Sequence, residues 1–472
     1  MNRQHIILLM AGLTIAAATL AGCGSAEDSV AGDGAMAAVA ATDASISQLG
    51  AVGTLDSSEV HRIDVSFDQA AYGEMIEAYR ANGDKEWIEA TVTIDGTVYE
   101  HGGIRLKGNS SLFSLSPSSD PDTLPWLIKL DKYVDGQNHE GLTDLVVRSN
   151  NSTTALNEAV ALELLEAAGL AAQDAIAAAF SINGGDPTLR LVIEHPDDNW
   201  MAEEFDAQGA LYKAESTGDY SYRGADPDSY DEVFDQEAGK DNADLAPLLE
   251  FLDFLNNSDD ATFDAELDQW LDIDSFATYL AMQDLIGNFD DIDGRGNNSY
   301  LYYDTDAAQF TVVPWDHNLA FGVSNGPGSE PGGRGDSGGV PAEGFPEDFA
   351  GNAIEDSAPG GFQRTRPEGL PIPGELGAAL PEGAGGLGER PGGAGGRGPE
   401  GGSNVLVERF VANDSWADLV VDRTAELSEA LYDSEVAAQI LDEWSTIVAS
   451  SDLVGANIIE SEAAQIREFF AS

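Results

Sequence analysis

Polar and apolar residues alternate along the first part of the chain, a pattern typical of half-buried β-strands. Residues 61–67 alternate in this way, and a side-chain period of two predicts a strand. Two more such segments, 87–94 and 97–100, flank Asp95-Gly96, a dipeptide favoured in two-residue hairpin turns. The opening part of the chain is therefore predicted to be β-rich, with further strands over 103–106 and 126–130 and a helix over 69–81.

A predicted helix over 154–168 is apolar on almost every side. Good helix formers fill it, and Gly169 follows where a left-handed C-cap is favoured. A helix without a polar face is buried. Its acidic residues Glu158 and Glu163 are therefore notable, because a buried charge needs a partner. Strands are predicted after this helix over 180–183, 189–194 and 210–213.

The pattern becomes mainly helical beyond residue 244. Because strands dominate one half of the chain and helices the other, we expect an α+β fold. Asp274 is the expected N-cap of one helix. The predicted helices are 245–255, 261–271, 275–286, 405–410, 416–433 and 435–449, and the predicted strands are 299–303 and 309–313.

Glycine and proline are concentrated in residues 322–403, which contain half of the 52 glycines and more than half of the 19 prolines. Such a segment has too little apolar surface for a packed core, so we predict a disordered insertion. The rest of the chain is rich enough in apolar residues for one large domain, or two closely packed lobes, over 60–321, which C-terminal helices over 404–472 complete.

The N-terminus has the features of an export signal. Arg3 precedes an apolar stretch over 6–17, and Leu20-Ala21-Gly22-Cys23 follows it. The stretch is shorter than the roughly 20 residues that span a membrane, and it ends in small residues that suit a peptidase. This segment resembles a bacterial lipoprotein signal. We expect residues 1–22 to be removed and Cys23 to carry a lipid in the cell envelope, facing outside the cytoplasm. Residues 23–59 would then be a flexible tether.

Acidic residues dominate the charge of the chain. Its 84 acids and 22 bases give a formal net charge of −62. A potential of this sign repels phosphate backbones, so nucleic acid is excluded as an expected partner. It favours a basic protein or a divalent cation instead. The sequence predicts no particular oligomeric state.

Residues 288–316 carry the groups that phosphoryl transfer needs. That reaction requires a metal against the phosphates, a base for the attacking hydroxyl and a further cation. An acidic loop after a helix offers the base, and Asn298 and a hairpin that returns Asp316 offer oxygen ligands suited to Mg²⁺. A solvated acidic loop is the simpler alternative. An EF-hand calcium loop is excluded, because Arg295 stands at a ligand position.

Four segments, in order along the chain, resemble the spore coat protein CotH family. They are 105–111 (RLKGNSS), 211–215 (LYKAE), 287–302 with its GNFD and NNSYLY ends, and 314–316 (PWD). The resemblance implies an atypical protein-kinase-like bilobal fold, with a β-rich lobe over 60–215 and a helical lobe over 217–321 that resumes after 403. It also implies a transferase that binds ATP and Mg²⁺, with Mn²⁺ or Ca²⁺ as alternatives, and phosphorylates Ser/Thr of secreted or coat proteins.

The resemblance assigns catalytic and metal-binding roles residue by residue. Asp290 resembles the catalytic-loop aspartate, and Asn298 and Asp316 resemble the metal ligands. Asp293 competes with Asp290 as base, because it lies five residues before Asn298, as in ordinary kinases. Asn318 stands where relatives can carry Asp, a departure that weakens a second metal site.

The resemblance also points to residues that would contact the phosphates of ATP. Arg105 and the turn after it are similar to a phosphate-facing segment, formed here by Lys107, Gly108, Asn109 and Ser110. Lys129 resembles the kinase strand lysine, with Lys107 and Lys213 as rivals. We expect Lys129 to pair with Glu158, because a buried carboxylate needs a cation and the chain has few.

A second interpretation is a non-catalytic surface module on the same fold, with a binding or structural role in the envelope. It has a physical argument, because ATP is scarce outside the cytoplasm, where a lipid at Cys23 would place the domain. Stabilisation by ATP that depends on Mg²⁺ would distinguish the enzyme from this module.

Overall fold

The computed structural model describes residues 51–52, 55–108, 110–112, 115–205, 208–215, 218–240, 244–294, 296–323 and 404–471. The expected signal 1–22, the lipidation residue Cys23 and almost all of the glycine-rich segment lie outside the described residues, as does Asn109. Among the described helices, none combines the length and the apolar character needed to cross a bilayer.

Strands and helices are both abundant, so the α+β class predicted from the sequence is confirmed. The strands are β1 Ala51–Val52, β2 Leu55–Asp56, β3 Val60–Phe67, β4 Ile88–Ile94, β5 Thr97–Leu106, β6 Trp126–Lys129, β7 Asp144–Val147, β8 Ala175–Ile182, β9 Thr188–Ile193, β10 Gly209–Ala214, β11 Phe234–Ala238, β12 Ser299–Asp304 and β13 Gln309–Pro314. The α-helices are α1 Gln69–Asn82, α2 Leu156–Ala167, α3 Asp198–Glu204, α4 Ala246–Asn257, α5 Asp260–Glu266, α6 Ile273–Leu285, α7 Val405–Ala412, α8 Asp414–Leu427, α9 Val436–Ser450 and α10 Ala456–Phe469.

Seven strands close into a barrel in the order β3-β4-β5-β6-β7-β9-β8. Neighbouring strands are antiparallel except β3 and β8, whose parallel pairing closes the barrel. The hairpin predicted at Asp95-Gly96 joins β4 to β5, with positive φ at both turn residues. Apolar strand residues such as Ile63, Ile104 and Ile128 form one core with α1.

A second, four-stranded antiparallel sheet has the order β11-β10-β12-β13. It corrects the expected lobe boundary at residue 215. Strand β10 was assigned to the β-rich lobe, but it pairs with β12, which was assigned to the helical lobe. The reason is topological: the barrel is already closed, so β10 has no free barrel edge to join. The expected β-rich lobe is thus a closed barrel plus part of a separate sheet.

The helices and the four-stranded sheet share the larger core, which includes Leu211, Phe276, Tyr300 and Trp444. One cap differs from prediction. Asp272, not Asp274, caps α6 by accepting a hydrogen bond from the amide of Ser275. The C-terminal helix α10 was not predicted, although it buries residues on one face at helical spacing, Ile459, Glu462, Ala463 and Ile466.

The folded domain begins slightly before residue 60. Leu55 is buried, and the buried Ser57 hydroxyl donates to the carbonyl of Ala175 at 2.5 Å. The last residues of the segment expected to be a tether therefore pack on the barrel.

Candidate functional site

The hairpin β12–β13 brings two predicted metal ligands to the same end of the sheet. Ser299 pairs with Pro314 at this end, so Asn298 immediately precedes β12 and Asp316 lies just beyond β13. Both residues have left-handed backbone, with φ of 58° and 65°. Asn and Asp adopt this conformation more readily than other residues that have a side chain.

Asp290 lies next to these two residues. The Asn298 amide Nδ2 donates to the Asp290 carbonyl at 2.9 Å. Burial raises the pKa of the Asp290 carboxyl, the charge of Asp316 raises it further, and a hydrogen bond from Asn298 lowers it. The structure therefore brings together Asp290, Asn298 and Asp316, an oxygen-only donor set of the kind that Mg²⁺ prefers.

Asp293, the rival of Asp290, is exposed. Its backbone amide donates to Asp291 Oδ1 at 2.8 Å. Asp291 is the more perturbed residue of this loop, because burial, and then the charges of Asp293, Asp284 and Asp290, raise its pKa to about 7. Asp293 thus interacts with Asp291, whereas Asp290 interacts with Asp316.

A cation that the sequence did not single out, Arg148, lies just beyond β7 and connects two acids. Its Nη2 lies 2.8 Å from Glu158 Oε1, its Nε donates to Glu158 Oε2 at 3.0 Å, and Nη2 also donates to Asp316 Oδ1. Burial disfavours the charged guanidinium, but the two carboxylates raise the pKa of Arg148 above its ordinary value. The backbone of Arg148 is fixed by the buried Arg190, which donates to its carbonyl.

The expected pairing of Lys129 with Glu158 is wrong. Lys129 Nζ lies 2.8 Å from Asp144 and 3.2 Å from Asp131, while Glu158 pairs with Arg148. The cause is strand register: β6 and β7 are antiparallel and place Lys129 directly opposite Asp144. Lys129 is therefore already neutralised on the barrel.

Other basic residues converge near the end of β5. The charges of Arg105 and Lys213 act on both Lys85 and Lys107. Burial, and then these neighbouring cations, lower the pKa of Lys107 to about 7 and that of Lys85 to about 8. We call Lys85, Arg105, Lys107 and Lys213 the basic cluster. Strand β10 of the four-stranded sheet contributes Lys213, and the barrel and its connections contribute the others.

Aromatic rings support these cations. Lys107 Nζ lies 5.2 Å from the ring centre of Trp315, next to Asp316, and the Arg105 guanidinium lies 5.1 Å from that of Trp87. Acidic residues also act on the cluster: Lys213 pairs with Glu215 at 2.7 Å, and the charge of Glu237 acts on Arg105 and Lys107. The basic cluster is therefore packed in place rather than extended into solvent.

A polar cleft lies between Lys107 of the basic cluster and Asp316. Gly108 on its wall has φ of +93°, and a side chain there would collide with the Ser111 hydroxyl. Ser110 begins the short 3₁₀ turn Ser110–Leu112 beside it. The cleft is lined by Lys107, Gly108, Ser111, Pro125, Val146, Val147, Arg148, Ser149, Asn151, Asp316 and Asn318.

Polar atoms near the basic cluster are buried without a hydrogen-bond partner among the described residues. They are Arg105 Nε and both ring nitrogens of His195. Burial, and then the charges of Lys107 and Arg105, hold the pKa of His195 well below its usual range, so its ring is neutral. Unpaired buried donors beside several cations fit a site that receives an anion.

Buried side-chain amides hold the segment around Asp316 in place. Asn288 donates to Gln283 Oε1 at 2.8 Å, and Gln283 Nε2 lies 3.2 Å from His317 Nε2. On the other side, Asn157 of α2 donates to the Asn318 carbonyl at 2.8 Å. His317 is therefore a structural neighbour of Asp316, as its buried position indicates.

Helix α2 is held in turn by the C-terminal helix. The buried Glu462 of α10 accepts hydrogen bonds from the amides of Thr153 and Thr154, at 2.9 and 3.0 Å, and from the Thr154 hydroxyl. Because α2 carries Glu158, this contact links α10 to Arg148 and Asp316. Sequence reasoning missed both Arg148 and Glu462.

The chain was compared with curated proteins and with protein-family models. No curated protein matches the chain. The family model described as CotH kinase protein matches residues 104–453, which is more than half of the chain. The matched span includes Arg105, Arg148, Asp290 and Asp316. Within the described ranges, no three His, Cys, Asp or Glu side chains form a metal cluster, so the donor set remains two carboxylates and an amide. The chain belongs to the CotH kinase family.

Proposed function

We propose that the chain binds Mg-ATP in this cleft and transfers the γ-phosphoryl group to a Ser or Thr hydroxyl. The observation that carries the proposal is the meeting of opposite charges. In a chain with 84 acids and 22 bases, Lys107 and Arg148 line one cleft with Asp316, the charges of Arg105 and Lys213 act on Lys107, and Asp316 interacts with Asp290. A metal–triphosphate has the complementary pattern, because its phosphates need cations and its metal needs carboxylates.

The carboxylate side would hold the metal and the attacking hydroxyl. Asp316 and Asn298 are the proposed Mg²⁺ ligands, and Mn²⁺ or Ca²⁺ would suit the same oxygens. When bound, the ion would supply positive charge against the phosphate oxygens. Asp290 is the proposed base that accepts the hydroxyl proton on a carboxylate oxygen. We favour it over Asp293 because Asp290 interacts with Asp316, whereas Asp293 is exposed.

The basic cluster would neutralise the phosphates that are not transferred. Lys107 is the preferred phosphate lysine, because it lines the cleft beside Gly108, whereas Lys129 already pairs with Asp144 and Asp131. The unpaired Arg105 Nε and the His195 ring offer additional donors. Glu158 acts on this site through Arg148 rather than by touching the nucleotide.

In this interpretation the fold has the two-lobed arrangement of a protein kinase. The closed barrel takes the place of the nucleotide-covering lobe, and the sheet with its helices forms the catalytic lobe. The finding that supports this division is the order helix, acidic loop, Asn298, hairpin, Asp316, which is the order of the corresponding kinase parts.

We also propose that the enzyme is exported and anchored by lipid at Cys23, and that it acts on a basic envelope or secreted protein. The N-terminal pattern supports the anchor, and the net charge of −62 supports a cationic substrate.

The experiment is phosphate transfer from radiolabelled Mg-ATP by the mature full chain. A basic protein that contains Ser and Thr and an acidic one serve as matched acceptors. We expect label on Ser or Thr, more on the basic acceptor, and loss of transfer in Asp316→Ala. Equal labelling by Asp316→Ala would refute the metal assignment, and no labelling of either acceptor would favour the binding module.

A further inference from the structure

Arg148 occupies an unusual position for a residue near a proposed metal site. One guanidinium pairs with two carboxylates, and the exposed fraction of the side chain is 12% for Arg148, 2% for Glu158 and 28% for Asp316. The contact with Glu158 joins two nitrogen–oxygen pairs, of which only Nε to Oε2 is a hydrogen bond, whereas the contact with Asp316 is a hydrogen bond from Nη2 alone. The two contacts of Arg148 are therefore unequal. The contact with Glu158 is buried and involves two nitrogen–oxygen pairs, whereas the contact with Asp316 involves one pair and is partly open to solvent.

A divalent cation and Arg148 would compete for the same carboxylate. A guanidinium that donates to Asp316 Oδ1 reduces the negative charge this oxygen offers to a metal, and two cations on one carboxylate repel each other. Arg148 cannot readily leave Glu158, because a buried carboxylate without a counter-ion is strongly disfavoured. It can leave Asp316 and keep its twofold contact with Glu158.

We propose that Arg148 is an exchangeable counter-ion, which neutralises Asp316 until a divalent cation replaces it and then remains on Glu158. The inference rests on the proposed function, because it takes Asp316 as a metal ligand. It adds a residue that sets the affinity for the metal without being a ligand. The consequence is that divalent cations bind more weakly than the carboxylates alone would allow, so that loading is favoured when a triphosphate brings the metal with it.

The alternative role for Arg148 is to orient Asp316 towards the metal. The two roles predict opposite effects on metal affinity. If Arg148 competes, removing its charge tightens metal binding, and if it orients Asp316, removing it weakens metal binding. Arg148→Gln alone would leave Glu158 unpaired and endanger folding, so the test uses the double variant Arg148→Gln/Glu158→Gln, which removes both charges and leaves polar side chains at both positions.

The experiment is titration of the full chain with Mn²⁺ in the absence of nucleotide, followed by calorimetry or by the spin resonance of free Mn²⁺. Because the chain has many acids, each variant is compared with its own Asp316→Asn derivative, and the difference defines binding at the site. Thermal unfolding and near-ultraviolet dichroism confirm that each variant is folded.

We expect the double variant to bind Mn²⁺ roughly five- to tenfold more tightly than the parent. Glu158→Gln alone should bind it more weakly, because Arg148 then has Asp316 as its principal counter-ion. Unchanged or weaker binding by the folded double variant would overturn the proposal. If Asp316→Asn has no effect on the parent, the metal assignment itself fails, and the inference fails with it; a loss in that control together with no tightening in the double variant refutes the exchange alone.

Discussion

The two walls of the cleft differ in charge and in how their residues are fixed. The barrel wall is basic: Lys107 and Arg148 line the cleft just beyond β5 and β7, and Arg105 lies near the end of β5. The sheet wall is mainly acidic: Asp316 lines the cleft just beyond β13, and Asp290 interacts with it. Aromatic rings hold the cations, while buried amides hold the loops that carry the carboxylates.

This difference shows why neither wall suffices alone. Burial, and then neighbouring cations, lower the pKa of Lys107, and burial, and then the charge of Asp316, raise the pKa of Asp290. The charged form is therefore disfavoured on each wall, an electrostatic strain that a ligand of opposite charge would relieve. Arg148 relieves part of the strain by reaching from the barrel to Asp316. A metal–triphosphate would relieve both walls at once, which is why we interpret them as one site.

The largest effect is expected from the acidic wall. Asp290→Asn should lower the phosphoryl-transfer rate by on the order of 10²- to 10⁴-fold, the contribution typical of a general base, while nucleotide binding stays close to that of the parent. Single-turnover rates and nucleotide titrations measure the two separately. The matched control is Asp293→Asn in the same loop, which should keep most of the rate. A reversed order of the two variants would make Asp293 the base.

The next largest effect is expected from removing the contact by which the C-terminal helix α10 holds the segment before α2. Glu462→Ala leaves three donors without their acceptor, the Thr153 amide and the amide and hydroxyl of the buried Thr154. We expect a loss of about 2–4 kcal/mol in the free energy of unfolding, measured by denaturant titration. Glu460→Ala, which removes an exposed carboxylate from the same helix, should change stability by less than about 0.5 kcal/mol. Equal effects would mean that α10 does not position α2.

A smaller effect, on ATP affinity, should distinguish Lys107 from Lys129. Lys107→Met should weaken ATP binding by roughly ten- to a hundredfold, the loss of one charge-assisted hydrogen bond. Lys129→Met should leave ATP affinity nearly unchanged, because Lys129 pairs with Asp144 and Asp131. Isothermal titration of both variants provides the measurement. The opposite result would restore the kinase-strand role that the sequence suggested for Lys129.

The pH dependence should be the smallest effect. The pKa of Lys107 is lowered to about 7 and that of Lys85 to about 8, mainly by burial, whereas both are near 10.5 in the unfolded chain. Between these values the unfolded chain binds more protons, so the contribution of these lysines to ligand-free stability rises with pH. Phosphate binding favours the charged lysines, so ATP affinity should fall as pH rises from about 6.5 to about 8.5.

The same pH titration of Lys107→Met provides the control. Lys107 faces Lys213, Glu237, Arg105 and Arg148, and the charges of these neighbours remain in the variant. Most of the dependence near pH 7 should therefore disappear, and the part due to Lys85 should remain. A parent affinity that is flat across this range would contradict the role of the basic cluster.

Local pattern predicted much of the fold and the carboxylate side of the site. Three features follow from residue spacing, each within its own short segment. They are the Asp95-Gly96 turn, the buried helix with Glu158, and the hairpin that brings Asn298 and Asp316 together. These features are local, so sequence periodicity and turn chemistry are enough to predict them.

Two errors at the site, the partner expected for Lys129 and the missed Arg148, have a common cause in strand β7, which was not predicted. Its four residues, Asp144–Val147, are all buried, and a short apolar run of this kind is an ambiguous signal. Without β7 there was no reason to place Asp144 opposite Lys129 or Arg148 beside Glu158. Contacts between residues far apart in sequence, such as Arg148 with Asp316, depend on the closed barrel and could not be predicted from spacing.

The most direct test of the account is the thermal stability of the full chain with ATP, with Mg²⁺, and with both. If the two walls bind one metal–triphosphate, ATP and Mg²⁺ together should raise the melting temperature well beyond the sum of their separate effects, and Asp316→Asn should remove that excess. An equal shift by ATP with and without Mg²⁺, or an unchanged excess in Asp316→Asn, would contradict it.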